Sequence, residues 1–166
     1  MFDLRTLRLA VGDTHREQVP LALAPFTIGG QRYEPVPARV DGDLTVTRLA
    51  SGMLFDLRFS AEAFGPCQRC LEEARVSLDA GSREYHAHHP DPGAEDEVTS
   101  PYLEGDLLDV DHWAQDALVL AMPAKVLCRD DCAGLCPSCG QNLNDGSCTC
   151  TVEVHDERWA KLKDLF

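Results

Sequence analysis

The chain has 166 residues, 44% of them hydrophobic, and a formal net charge of −13. That length suits one cored domain, with or without an appendage. The acidic balance argues against broad tracking of nucleic-acid phosphates, which needs clustered Lys and Arg to displace counterions; it suits solubility or basic protein partners.

The first residues, MFDLRTLRLAVGD, lack the apolar stretch of a secretory signal. The longest apolar run, ALVLAMPA at 117–124, is far shorter than the ~18 residues of a membrane span. The expected location is therefore the cytoplasm, where thiols stay reduced.

Residues 1–90 read as a β-rich part. Asp41-Gly42 stands between two β-prone runs and predicts a hairpin turn. In MLFDLRFSAEAF, Phe55, Leu57, Phe59, Ala61 and Ala63 alternate with Asp56, Arg58, Ser60 and Glu62, the period of a half-buried strand. A second strand follows with Val76 and Leu78 inward, until Gly81 interrupts it. Between the two lies GPCQRCLEE, which places Cys67 and Cys70 at the tip of a long hairpin.

Residues 91–105 read as an acidic, flexible loop. Residues 106–166 then carry a helix, a cysteine-rich segment and a second short helix, expected to form one folded unit with 1–90. In the first helix Leu107, Val110, Ala114, Ala117, Leu118 and Ala121 recur at steps of three and four, Asp106 caps the start and Pro123 stops it. Trp113 borders the apolar stripe. In the second helix Asp156 caps DERWAKLKDLF, with Trp159, Leu162 and Phe166 on one face. The fold class is α+β: a predominantly antiparallel sheet, one or two helices and a C-terminal zinc-binding segment.

Six of the eight cysteines lie within 128–150. In a reduced compartment, metal is the first reading. CPSCG at 136–140 is a knuckle signal: the backbone must turn tightly to aim two thiolates at one ion, and Gly140 can take the positive φ that ends such a turn. Cys148 and Cys150 lie within reach, so Cys136, Cys139, Cys148 and Cys150 make one four-thiolate zinc site, with His155 as a reserve ligand. The remaining four, Cys67, Cys70, Cys128 and Cys132, make a second site that staples the hairpin tip to the segment after the helix. Two zinc ions are expected. A different partition is open to the sequence, for example Cys128, Cys132, Cys136 and Cys139 around one ion.

Three other readings compete. A thioredoxin-like Cys-x-x-Cys needs a βαβ setting and a helix start, and hairpin strands flank Cys67 instead. A disulfide framework needs an oxidising compartment. Catalytic zinc needs an open coordination position, and here the thiolates suffice to fill both sites. His86, His88 and His89 read as solvated, IGGQRYE lacks phosphate-loop spacing, and no nucleophile constellation is visible; an enzyme with a small-molecule substrate is not expected.

CQRCLE after a β-rich half, an acidic loop, a helix ending in LAMP, then CRDDCAGLCPSCGQNLNDGSCTC and DERWAKLKDL resemble, in order over residues 20–166, the YceD family of large ribosomal RNA subunit accumulation proteins. The resemblance implies a bacterial or plastid cytosolic factor for accumulation of large-subunit ribosomal RNA. It also implies one widely kept site at Cys67 and Cys70 and an additional one here, because some members carry histidines in place of Cys128 and Cys132 and lack the later cysteines. Its partners would be ribosomal RNA or large-subunit assembly intermediates, reached mainly through basic ribosomal proteins that meet the acidic surface. Lys125, Arg129, Arg158, Trp159, Lys161 and Lys163 are the candidate contact residues. The alternative is a protein whose zinc module binds or processes RNA directly.

Overall fold

The computed structural model describes residues 1–90, 92–93 and 98–150. The strands, in chain order, are β1 (Phe2–Asp3), β2 (Thr14–Ala22), β3 (Phe26–Ile28), β4 (Gln31–Val36), β5 (Arg39–Arg48), β6 (Gly52–Pro66), β7 (Glu73–Ala87), β8 (Leu103–Glu104) and β9 (Leu107–Leu108). The helix α1 (Val110–Ala121) follows β9. Six strands form one antiparallel sheet in the order β2-β5-β6-β4-β3, and β7 pairs along the other side of β6. A small sheet, β1-β9-β8, ties the first residues to the segment before the helix.

The period-two pattern of β6 is realised. Phe55, Leu57, Phe59, Ala61 and Ala63 are all buried, opposite Ala80, Leu78 and their neighbours on β7. Each large apolar side chain so buried stabilises by about 1.5–3 kcal/mol. On the outer face Asp56 accepts from Arg58 along its own strand and from Arg83 across on β7, and Glu62 pairs across with Arg75.

Two local expectations fail. Asp41-Gly42 is not a turn: β5 runs straight through it, with Gly42 opposite Val19 of β2. Gly42 has a packing role instead: a Cβ there would lie 2.5 Å from Leu21 Cδ1, so the Leu21 side chain would have to shift. Nor does Gly81 interrupt β7, which continues to Ala87.

The helix starts later than its periodicity suggests. Asp109, not Asp106, is the N-cap and accepts from the His112 N–H at 3.1 Å, because Leu107 and Leu108 are spent on β9. Trp113 is wholly buried with Ala114, Ala117 and Leu118 in the stripe that faces the sheet. Asp111 and Gln115 accept from the backbone N–H groups of Ala22 and Ala24, at 2.7 and 2.8 Å, and so fasten the helix across the end of β2.

Candidate metal centres

The hairpin β6–β7 spans 15 residues on each side and carries its turn far from the main core. There a second, smaller core gathers Tyr33, Cys67, Cys70, Ala74, Val126 and Cys132. Tyr33 is fully buried, stacks on Phe26 at 5.9 Å and donates to the Pro66 carbonyl at 3.3 Å. Gln68 N–H donates to the Val126 carbonyl at 2.9 Å, which brings the chain after α1 beside the hairpin tip.

Two knuckles have the same backbone plan. In the first, Cys67 N–H donates to the Glu72 carbonyl at 2.7 Å and Leu71 N–H to the Cys67 carbonyl at 3.0 Å. In the second, Cys136 N–H donates to the Gln141 carbonyl at 2.8 Å and Gly140 N–H to the Cys136 carbonyl at 2.9 Å. The residue after the second cysteine is left-handed in both: Gly140 at φ 74°, Leu71 at φ 63°. Gly140 does this freely, whereas Leu71 bears the cost of a Cβ there.

The sulfurs converge in two sets of four: Cys67, Cys70, Cys128 and Cys132, and Cys136, Cys139, Cys148 and Cys150, each set within 4.8 Å of one another. Cys67 Sγ lies 3.8 Å from Cys132 Sγ, and Cys70 Sγ 3.5 Å from Cys128 Sγ. A disulfide would need about 2.05 Å. A tetrahedron with metal–sulfur bonds of about 2.3 Å has edges of about 3.8 Å. Each set can hold a metal ion, and the alternative grouping of Cys128 and Cys132 with Cys136 and Cys139 is not the one formed.

The protonation pattern fits the same chemistry. Burial opposes ionisation of Cys67, but hydrogen bonds from the backbone of Cys70, Arg69 and Cys128 outweigh it and bring the thiol down to about 6. The Asn144 amide lowers Cys132 against its burial. Burial raises Cys70 against the pull of the Glu72 N–H, and burial, then the neighbouring sulfurs, pushes Cys128 up to about 12. In the second set, backbone N–H groups of Cys139 and Ser138 bring Cys136 down to about 6. Cys139 and then burial push Cys150 up to about 12. Cys148 is also raised: the Cys150 N–H pulls it down, but Cys136 and burial prevail. In each set N–H donors lower some of the thiols while burial and neighbouring sulfurs raise others. A divalent cation offsets the negative charge of clustered thiolates.

The centres differ in depth. In the first, Cys67, Cys70 and Cys132 are buried and Cys128 is exposed; in the second, Cys136 is buried, Cys148 partly so, and Cys139 and Cys150 are exposed. They also touch. Arg69 Nη1 donates to the Cys132 carbonyl at 2.8 Å, and its own carbonyl accepts from Leu135 N–H at 3.2 Å. Asn144, in the loop of the second centre, donates to Cys132 Sγ at 3.4 Å. Arg69 and Asn144 were not among the expected site residues. The signal available for Asn144 was NLN inside a turn-rich loop, where Asn side chains hydrogen-bond to nearby backbone.

Of the expected contact residues, Lys125 is exposed. Arg129 is also exposed, donating to Asn144 Oδ1 at 2.8 Å and pairing with Asp131 at 3.3 Å. Arg158, Trp159, Lys161 and Lys163 lie outside the described residues, as do the helix expected at 156–166 and His155.

The family described as large ribosomal RNA subunit accumulation protein YceD matches residues 55–166. An uncharacterized protein of Mycobacterium tuberculosis (strain H37Rv) is 34% identical over 133 residues, covering 78% of this chain and 63% of its own length. One of Mycobacterium leprae is 26% identical over 140 residues, covering 78% of this chain and 60% of its own length. The chain thus spans less than two thirds of these relatives. No solved structure matches it.

Proposed function

Because the chain belongs to the YceD family, which is described by large ribosomal RNA subunit accumulation, we propose that it is a non-catalytic, zinc-holding factor in that process, acting in the cytoplasm mainly through protein partners. The observation that carries the reading is the family match across the hairpin and both cysteine sets. Cys67, Cys70, Cys128 and Cys132 would hold one zinc ion and Cys136, Cys139, Cys148 and Cys150 the other. Zinc supplies a charge-balancing cross-link, and four thiolates complete its tetrahedral shell without an open position for substrate. Soft thiolate donors favour it over the hard cations. Among the described residues, no helix is long and apolar enough to cross a membrane.

Protein partners are favoured over bare RNA by the charge of −13. Basic ribosomal proteins complement such a surface. Capture of large-subunit assembly intermediates from lysate tests this. Binding that persists after RNase treatment and is lost when Asp91, Glu95, Asp96 and Glu97 are replaced by neutral residues, leaving β8 in place, supports it. Tight binding to protein-free ribosomal RNA with a steep salt slope overturns it in favour of direct RNA recognition. Depletion of the protein should lower large-subunit ribosomal RNA relative to the small-subunit species; an unchanged ratio refutes the role in accumulation.

A further inference from the structure

Asn144 belongs by sequence to the loop of the second centre, between Cys139 and Cys148, yet its side chain is built into the first. Its Oδ1 accepts from the Ala133 N–H at 2.8 Å and from Arg129 Nη2 at 2.8 Å. A backbone N–H can only donate, so this contact fixes the amide orientation and directs Nδ2 to Cys132 Sγ at 3.4 Å. Asn142 braces it: Asn142 Oδ1 accepts from Asn144 Nδ2 at 2.8 Å and from Asn144 N–H at 3.0 Å. The backbone of the same loop is docked on the link between the centres, with Leu143 N–H donating to the Gly134 carbonyl at 2.8 Å and Asn142 bridging Leu135. Cys132 is 1% exposed, and this loop contributes to its cover.

We propose that Asn144 is a positioning residue that couples the two centres: the loop closed by the second metal lays the Asn144 amide against the Cys132 thiolate and slows loss of metal from the first. The inference rests on the zinc reading above. An N–H···S hydrogen bond from a braced amide holds the ligand sulfur in its orientation and covers it from solvent. Hydrogen-bond partners of metal ligands typically account for 10–100-fold in metal affinity. The coupling gives the outer centre a function beyond its own cross-link: it is the retaining cover of the inner one.

The test uses the full chain purified without added metal. Zinc content is measured first, and release into excess chelator is then followed with a chromogenic indicator. The wild type should hold two zinc ions and release them in a fast and a slow phase. N144D keeps an oxygen facing Ala133 and Arg129 but loses the donor to Cys132; it should still hold two ions, with the slow phase roughly 10-fold faster. C148S/C150S should hold one ion, released at least as fast as the slow phase of N144D. Q141A, whose exposed side chain lies in the same loop, should release like the wild type. In cobalt-loaded protein the thiolate-to-metal charge-transfer band should move to lower energy in N144D and stay in Q141A, a shift that general loosening of the fold does not produce. Two bound ions with an unchanged slow phase in N144D, or one bound ion with an unchanged slow phase in C148S/C150S, overturns the coupling alone. A wild type with no zinc overturns the metal reading with it.

Discussion

The inner and outer centres are built on one knuckle and placed in opposite surroundings. Around Cys67 and Cys132 the ligands are part of a core with Tyr33, Ala74 and Val126, and the sheet ends there. Around Cys139 and Cys150 the ligands face solvent. The difference teaches that a four-thiolate set can replace hydrophobic packing or merely clip a loop. The inner set joins segments 58 and 65 positions apart, whereas the outer one closes residues 136–150 on themselves.

Breaking the inner set should therefore have the largest effect. Cys67→Ser is expected to lose one zinc and about 4 kcal/mol or more of stability, by metal analysis and denaturant titration. Cys139→Ser should lose one zinc and only about 1–2 kcal/mol; equal losses for the two would erase the distinction between the centres. The knuckles offer a reciprocal comparison at their left-handed residue. Gly140→Leu should destabilise by about 1–2 kcal/mol, because it imports the Cβ cost that Leu71 already bears. Leu71→Gly should stabilise by about 0.5–1 kcal/mol, since Leu71 is 58% exposed and gives up little packing. A destabilised Leu71→Gly variant would mean that the Leu71 side chain holds the knuckle after all.

The smallest effect lies at the opposite end of β7 and serves as a control for both centres. Burial holds the Glu84 carboxyl above its usual value, although the Ser100 hydroxyl pulls it down. A raised folded-state value means that the folded protein binds this proton more readily than the unfolded chain. The associated stability is present at low pH and is lost as pH rises through the folded-state value. Glu84→Gln should thus gain a few tenths of a kcal/mol at neutral pH, about none near pH 4, and leave zinc content untouched. A gain that grows on acidification would reverse the sign of this assignment.

Much of the frame is legible in the sequence because the signals are local and repeated. The alternation through Phe55–Ala63 reports burial directly, and two such strands flanking GPCQRCLEE place the cysteines at a tip. Signals that depend on a distant partner mislead. Asp41-Gly42 has the composition of a turn, but it pairs along β2 instead, with the Leu21 side chain packed over Gly42. Asp106 has the chemistry of a cap, but pairing with β1 and β8 draws Leu107 and Leu108 into a strand and moves the cap to Asp109. The grouping of the sulfurs is likewise decided by long-range packing, through Gln68 against Val126, which cysteine spacing alone does not encode.

The separation of the inner ligands along the chain has a consequence during synthesis. Cys67 and Cys70 emerge 58 to 65 positions before the residues that complete their set. At ~5–20 residues per second the interval is roughly 3–13 s. The outer ligands, all within residues 136–150, follow one another in about 1–3 s. For those first seconds the hairpin presents a thiol pair with an incomplete set of companions, open to any oxidant or electrophile near the nascent chain. The inner set thus stays incomplete for several times longer during synthesis than the outer one, whose four ligands emerge together.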